Sequence, residues 1–243
     1  PQAELKKIEE AFSAARAEWA ARDEDTHRPQ QAVPLKIEVS ALDDDTDLFT
    51  GVIGASSAAL PSSTAYIEAN FPVTRDVDPH EAPLGRLTDY VERIVEIEGP
   101  VHLDEITARI RILWGLGRAG NRIRAAVQGA ITRAKQRGTI VGGPFYSRPN
   151  QPVVTRDRAN VSSPTLRRPD MLPPVEIEHA MLEIVAANYG AGREELIQAT
   201  ARAFGFSATS GQLKATLTPS VDRLIANGRL QEQGELLVVA SAT

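Results

Sequence analysis

The chain contains no cysteine. That absence removes disulfides, thiolate zinc sites and thiol catalysis together, and it fits a reducing, intracellular setting. No run of about 18 apolar residues is present, so neither a membrane span nor a membrane partner is expected. No signal-peptide pattern opens the sequence, and a cytoplasmic location is the expectation. An initiator methionine is lacking as well. The sequence starts at Pro1 and runs straight into a helical pattern from Glu4 to Arg22, which reads as a piece of a longer polypeptide. Catalytic signatures are equally scarce. His27, His80, His102 and His179 are scattered without metal-ligand spacing. Gly142-Gly143-Pro144 is not followed by the Gly-Lys-Ser/Thr of a phosphate loop, and no Gly-x-Ser-x-Gly elbow occurs. The pairs Asp104-Glu105 and Glu194-Glu195 diverge by about 100° on a helix, which suits acid–base chemistry poorly. The expectation is a non-catalytic chain with no cofactor and no metal.

What the chain does have is an uneven charge. The net charge of −5 conceals three blocks. Residues 1–99 hold 9 basic and 20 acidic residues, net −11; residues 100–170 hold 13 and 4, net +9; residues 171–243 hold 5 and 8, net −3. A basic middle in an acidic chain is what a polyanionic partner needs. A solvated basic helix face is the competing explanation.

Periodicity divides the chain into five parts. Residues 1–34 carry a helix, with Leu5, Ile8, Phe12, Ala15 and Trp19 on one stripe, and then a proline-bearing linker. Residues 35–83 read as an irregular acidic connector with short strands at Leu35–Val39 and Tyr66–Phe71. Its run Asp43, Asp44, Asp45 and Asp47 lacks calcium-loop spacing and reads as a solvated loop. Residues 84–156 show helical patterns at about 86–98, 103–114 and 119–137, then a β-ribbon. Residues 157–171 read as a second linker. Residues 172–243 show helical patterns at about 175–188, 193–204 and 210–227, and a second ribbon.

The two helical blocks read as copies. A shift of 90 residues aligns 105–140 on 195–230 without a gap. Only five of the 36 positions are identical, among them Arg133/Arg223 and Gly138/Gly228, but the apolar pattern is strong. Ile106/Leu196, Trp114/Phe204, Leu116/Phe206, Ile123/Leu213, Val127/Leu217, Ile131/Val221 and Ile140/Leu230 all pair as large apolar residues. In each copy the first helix stops near a glycine, Gly99 or Gly190, which suggests a left-handed cap. His102 sits where it can cap the second helix. Thr209 and Gln212 have capping-box spacing before the last long helix. Gly129 aligns with Pro219, and both weaken a helix interior, which predicts a kink or break there. Helix, helix, turn, helix, ribbon is the order of a winged helix-turn-helix, whose third helix enters the major groove. The fold class expected is therefore mostly α (α+β): two tandem winged helix-turn-helix units after an irregular N-terminal region with one helix.

On that plan the candidate contacts follow. Arg118, Asn121, Arg122 and Arg124 open the third helix of the first unit, above a buried stripe of Ile123, Val127 and Ile131. Arginine forks suit phosphates and guanine edges, and asparagine suits adenine. Arg148 falls on or near the wing. Arg156, Arg158, Arg167 and Arg168 lie in the second linker, where they are expected to track phosphates. The second unit offers Ser207, Thr209, Ser210, Gln212 and Lys214, which are weakly charged. Trp114 and Phe204 read as core residues, and Tyr146 as an open stacking candidate.

Val95-Glu96-Ile97-Glu98-Gly99-Pro100-Val101-His102, with Trp114-Gly115-Leu116-Gly117-Arg118-Ala119-Gly120-Asn121-Arg122-Ile123, resembles an uncharacterised bacterial domain family. That family is found at the C-terminal end of very large proteins with a superfamily I helicase core, often after a very-short-patch-repair-like endonuclease domain. The resemblance covers roughly 66–240. It implies a setting of helicase and nuclease work on DNA, with other domains of the parent as further partners. In the second copy Thr209-Ser210-Gly211-Gln212-Leu213 departs from the basic turn. The expected function is non-catalytic, phosphate-dominated, sequence-tolerant binding of duplex or junction DNA. The alternative is a protein-interaction or oligomerisation module of the same parent.

Overall fold

The computed structural model describes residues 63–240. The helix at 4–22, its linker, the strand at 35–39 and the acidic run all lie outside the described residues. The described part is a mixed α/β arrangement of six α-helices and three small sheets. None of these helices is long and apolar enough to cross a membrane.

The first strand, β1 (Thr64–Ala65), pairs in parallel with β5 (Arg156–Asp157). The stretch Tyr66–Phe71, expected as a strand, is irregular; it packs by burying Tyr66, Ala69 and Phe71. Next comes α1 (Leu84–Glu98), whose Leu87, Val91, Ile94 and Val95 recur at helical spacing and are buried. A short β2 (Val101–His102) leads into α2 (Leu103–Leu113). Here His102 Nδ1 accepts the Asp104 N–H at 3.1 Å, so the ring caps the helix, as its position suggested. An acceptor nitrogen must be unprotonated, and burial pushes the His102 pKa down, which favours that state. The third helix, α3 (Asn121–Gln136), is followed by β3 (Val141–Gly142) and β4 (Phe145–Ser147), which close an antiparallel sheet in the order β2-β4-β3.

The second half repeats the series. It comprises α4 (Pro174–Ala187), β6 (Ala191–Gly192), α5 (Arg193–Ala203), α6 (Gly211–Ala226), β7 (Leu230–Gln233) and β8 (Leu236–Val239). Its sheet runs β6-β8-β7, the same connectivity. Of the seven paired apolar positions, all are buried except Leu116 and Phe206, which are half-buried against their cores. Each such side chain contributes roughly 1.5–3 kcal/mol when removed from water. Trp114 also hydrogen-bonds through its indole N–H to the Val77 carbonyl at 2.9 Å.

Three local expectations are corrected. Gly99 is extended (φ −66°) rather than left-handed. Its lack of a side chain matters because a Cβ would lie 2.5 Å from the Val95 carbonyl and 2.6 Å from Gln151 Oε1. Neither Gly129 nor Pro219 interrupts its helix. Pro219 is on the exposed side of α6, where water can satisfy the Ala215 carbonyl that it frees. The cap of α6 is Ser210, whose Oγ accepts the Leu213 N–H at 3.2 Å, rather than Thr209.

Residues 148–173 are more than a tether. Two 3₁₀ turns, Pro164–Arg167 and Pro169–Met171, bury Leu166 and Met171, and the Arg158 N–H donates to the Phe204 carbonyl at 3.0 Å. Arg156 and Arg158 are 6% and 2% exposed. They cannot track phosphates, because their guanidinium groups are consumed inside the fold. Arg167 and Arg168 stay at the surface, Arg167 donating to the Val161 carbonyl and Arg168 pairing with Asp170.

Candidate nucleic-acid interface

The turn between α2 and α3 is built from local rules. Gly115 is left-handed (φ +71°) just past the Trp114 cap, and Arg111 donates to the Leu116 and Gly117 carbonyls at 3.1 and 3.3 Å. The chain then enters α3 through Gly120, which has no side chain to cap the helix, and no acidic residue stands in its first turn. The N-terminal N–H groups of α3 and the positive end of its dipole therefore meet no carboxylate from the helix's own first turn.

Around this helix start lie Arg118, Asn121, Arg122 and Arg124, all exposed. Arg118, Asn121 and Arg124 border an open groove of about 470 Å³ together with Asp104, Arg111 and Thr165. Among the described residues Arg118 and Arg122 make no hydrogen bond and no ion pair. Arg124 differs: it pairs with Asp104 at 2.6 Å. The second unit repeats this strut at the equivalent positions, Lys214 to Glu194, also at 2.6 Å. Arg148 is held by Glu96 at 2.5 Å. Such exposed pairs hold their partners by only about 0–1 kcal/mol, so a phosphate can compete for the cation. In the second unit Ser207 and Gln212 are exposed, Thr209 is half-buried and Ser210 is occupied as a cap. The ribbon turns also differ. The first is Gly142-Gly143-Pro144, with Lys135 Nζ on the Gly142 carbonyl at 2.9 Å; the second is Gly234-Glu235, after Glu232 on β7. Tyr146 is half-buried in β4 and packs against the first core.

Beneath this surface lies a charged interior that the sequence did not announce. Arg109 is 3% exposed and faces three carboxylates: Glu98 at 2.6 Å, Glu105 at 2.6 Å and Glu68 at 3.0 Å. Tyr66 donates to Glu98 at 3.0 Å, and Ser163 donates to Glu105 at 3.0 Å. Nearby, the fully buried Glu176 receives Arg156 at 2.9 Å and Arg158 at 2.8 Å. The Tyr66 ring lies under both guanidinium groups, at 4.6 and 5.0 Å. Four segments meet here: residues 63–71, the α1–α2 corner, the connecting segment and α4. Burial pushes Glu105 up to about 7, against the pull of Arg109. Burial pushes Glu176 up as well, but Arg158 and Arg156 outweigh it and hold that carboxyl below its ordinary value. Only the Glu105/Arg109 spacing of four residues was visible in sequence. Glu68, Glu98 and Glu176 come from remote positions and left no local signal.

The model of a family described as "Protein of unknown function (DUF3320)" matches residues 77–125, about a fifth of the chain, from the loop before α1 into the first turns of α3. The matched segment contains Arg118, Asn121, Arg122 and Arg124. No curated protein matches the chain, and no solved structure does.

Proposed function

We propose that the described residues form two tandem winged-helix units, and that the first is a non-catalytic DNA-binding module in which phosphate contacts dominate. The observation that carries this reading is the pair Arg118 and Arg122: exposed, without partners among the described residues, and set at the uncapped start of α3. Free guanidinium groups beside a positive helix end form an anion site whose strength comes from counterion release and charge-assisted hydrogen bonds. The matching connectivity of the two three-stranded sheets supports the winged-helix reading. A parent protein with helicase and nuclease domains is the setting proposed for the chain.

The second unit favours a different role. Its ribbon is acidic, and its last long helix is capped by Ser210. These features suit docking on another part of the parent more than phosphate binding.

Fluorescence polarisation with single-stranded, duplex and forked DNA tests the reading. Binding at low salt should weaken steeply as salt rises. Arg118→Ala with Arg122→Ala should reduce the slope of log K against log salt by about 1 for each phosphate that is no longer neutralised. Absence of binding at low salt, or a flat salt response, rejects the proposal.

A further inference from the structure

Resting on the DNA-binding reading, the structure points to which residues of α3 would face the bases. The buried residues Ile123, Val127, Ala130, Ile131 and Ala134 fix the inward direction of this helix. At about 100° per residue, the opposite side carries Asn121, Ala125, Gln128, Gly129, Thr132 and Gln136. All but the half-buried Gly129 are exposed. The stripe has no charge. Apart from Thr132 Oγ1, which donates to the Gln128 carbonyl at 2.9 Å, its polar side chains make no hydrogen bond among the described residues.

Basic residues flank the stripe on both sides. Arg122 and Arg133 lie on one border, Arg124 and Lys135 on the other. Within each pair the residues are three turns apart, about 16 Å along the axis. Arg122 and Arg133 have no partner among the described residues. Lys135 binds only a carbonyl, and Arg124 holds a half-exposed pair with Asp104. A helix in a major groove meets base edges along its centre and a phosphate wall on each side. The groove is about 12 Å wide and admits one helix. Neutral amides in the middle and cations on both borders match that cross-section. Asn and Gln present a donor and an acceptor together, as the adenine edge requires.

The second unit supplies an internal contrast. The equivalent stripe of α6 is Gly211, Ala215, Thr218, Pro219, Asp222 and Ala226, with Gln212, Arg223, Lys214 and Ile225 on the borders. It places a carboxylate, Asp222, where base edges and phosphates would be, and that carboxylate is paired with Arg193. Arg223, the counterpart of Arg133, is held by Glu178 at 2.8 Å. Arg133 has no such carboxylate partner among the described residues.

We infer that α3 lies in the major groove of duplex DNA, with Asn121, Gln128 and Thr132 reading base edges and Arg122, Arg133 and Lys135 gripping the two backbones. Asn121 to Thr132 spans about 16 Å, or roughly five base pairs at 3.4 Å each. The chain then has a short sequence preference on top of its phosphate affinity.

The test is selection of binding sites by the full chain from duplexes with a randomised core. A core of about five base pairs should be enriched. Gln128→Ala should cut the preference for that core over a scrambled duplex by about tenfold, with scrambled affinity and salt slope unchanged. Arg122→Ala with Arg133→Ala should do the reverse, weakening both duplexes alike and lowering the salt slope by about 2. If no core is enriched while scrambled duplex still binds with steep salt dependence, or if Gln128→Ala leaves the preference intact, the base-reading assignment is overturned and the phosphate reading survives. If no duplex binds at low salt, both are overturned. All three substituted residues are exposed, and unchanged circular dichroism confirms that each variant folds.

Discussion

Replacing Glu105 with glutamine should change how stability depends on pH. Its carboxylate is buried 2.6 Å from Arg109, but two further carboxylates, Glu98 and Glu68, already face that guanidinium. Across the interior, four carboxylates stand against three guanidinium groups, so one proton neutralises the set. Burial lifts the Glu105 pKa from 4.5 to about 7. Because the folded value exceeds the unfolded one, the group's contribution to stability is full below about pH 4.5. It is lost as pH rises through 7. At about 1.36 kcal/mol per pH unit, the change between pH 5 and pH 8 is about 2–3 kcal/mol. Glutamine keeps a carbonyl oxygen for Arg109 and cannot ionise, so this part of the pH dependence should vanish. Urea denaturation at half-unit pH steps, wild type against Glu105→Gln, reads the difference. The variant should gain about 2–3 kcal/mol relative to wild type on going from pH 5 to pH 8, or about 5–10 °C in Tm. Parallel curves for the two proteins would refute the buried-proton argument.

Further outcomes follow from single contacts. Glu176→Gln should cost about 3–5 kcal/mol at neutral pH, read by the urea midpoint, because two buried guanidinium groups lose their counter-charge. In the wild type the lowered Glu176 pKa places that contribution above the ordinary glutamate range, and it is lost as pH falls through the acid range. Gly205→Ala should cost at least about 2 kcal/mol in thermal unfolding: its φ is +86°, and a Cβ would strike the Asp157 carboxylate and lie 2.5 Å from the Ala159 nitrogen. Gly129→Ala should instead stabilise by about 1 kcal/mol, since the helix is continuous and the nearest neighbour of a Cβ is Leu84 Cδ1 at 3.9 Å. Arg124→Ala should weaken DNA binding less than Arg122→Ala in the polarisation assay, because Asp104 already engages Arg124.

The sequence by itself determined the helices, their order and their inward faces. Periodicity at 3.6 residues placed α1 to α6 within about two residues, because the spacing of Leu87, Val91 and Ile94, or of Leu213, Leu217 and Val221, has one helical solution that buries them. The 90-residue repeat was legible for the same reason: Trp114 and Phe204 occupy one place in two cores. The free arginines at the start of α3 were also visible as a local cluster. Tertiary structure alone decided which cations remain available. Arg156 and Arg158 looked like linker charges, yet Glu176, some 20 residues on, draws both inside. Arg133 and Arg223 are the same residue at matching positions, yet Arg223 is held by Glu178 while Arg133 has no partner among the described residues. Apolar burial is written in local spacing, whereas the pairing of a charge depends on which distant segment the fold brings within about 3 Å.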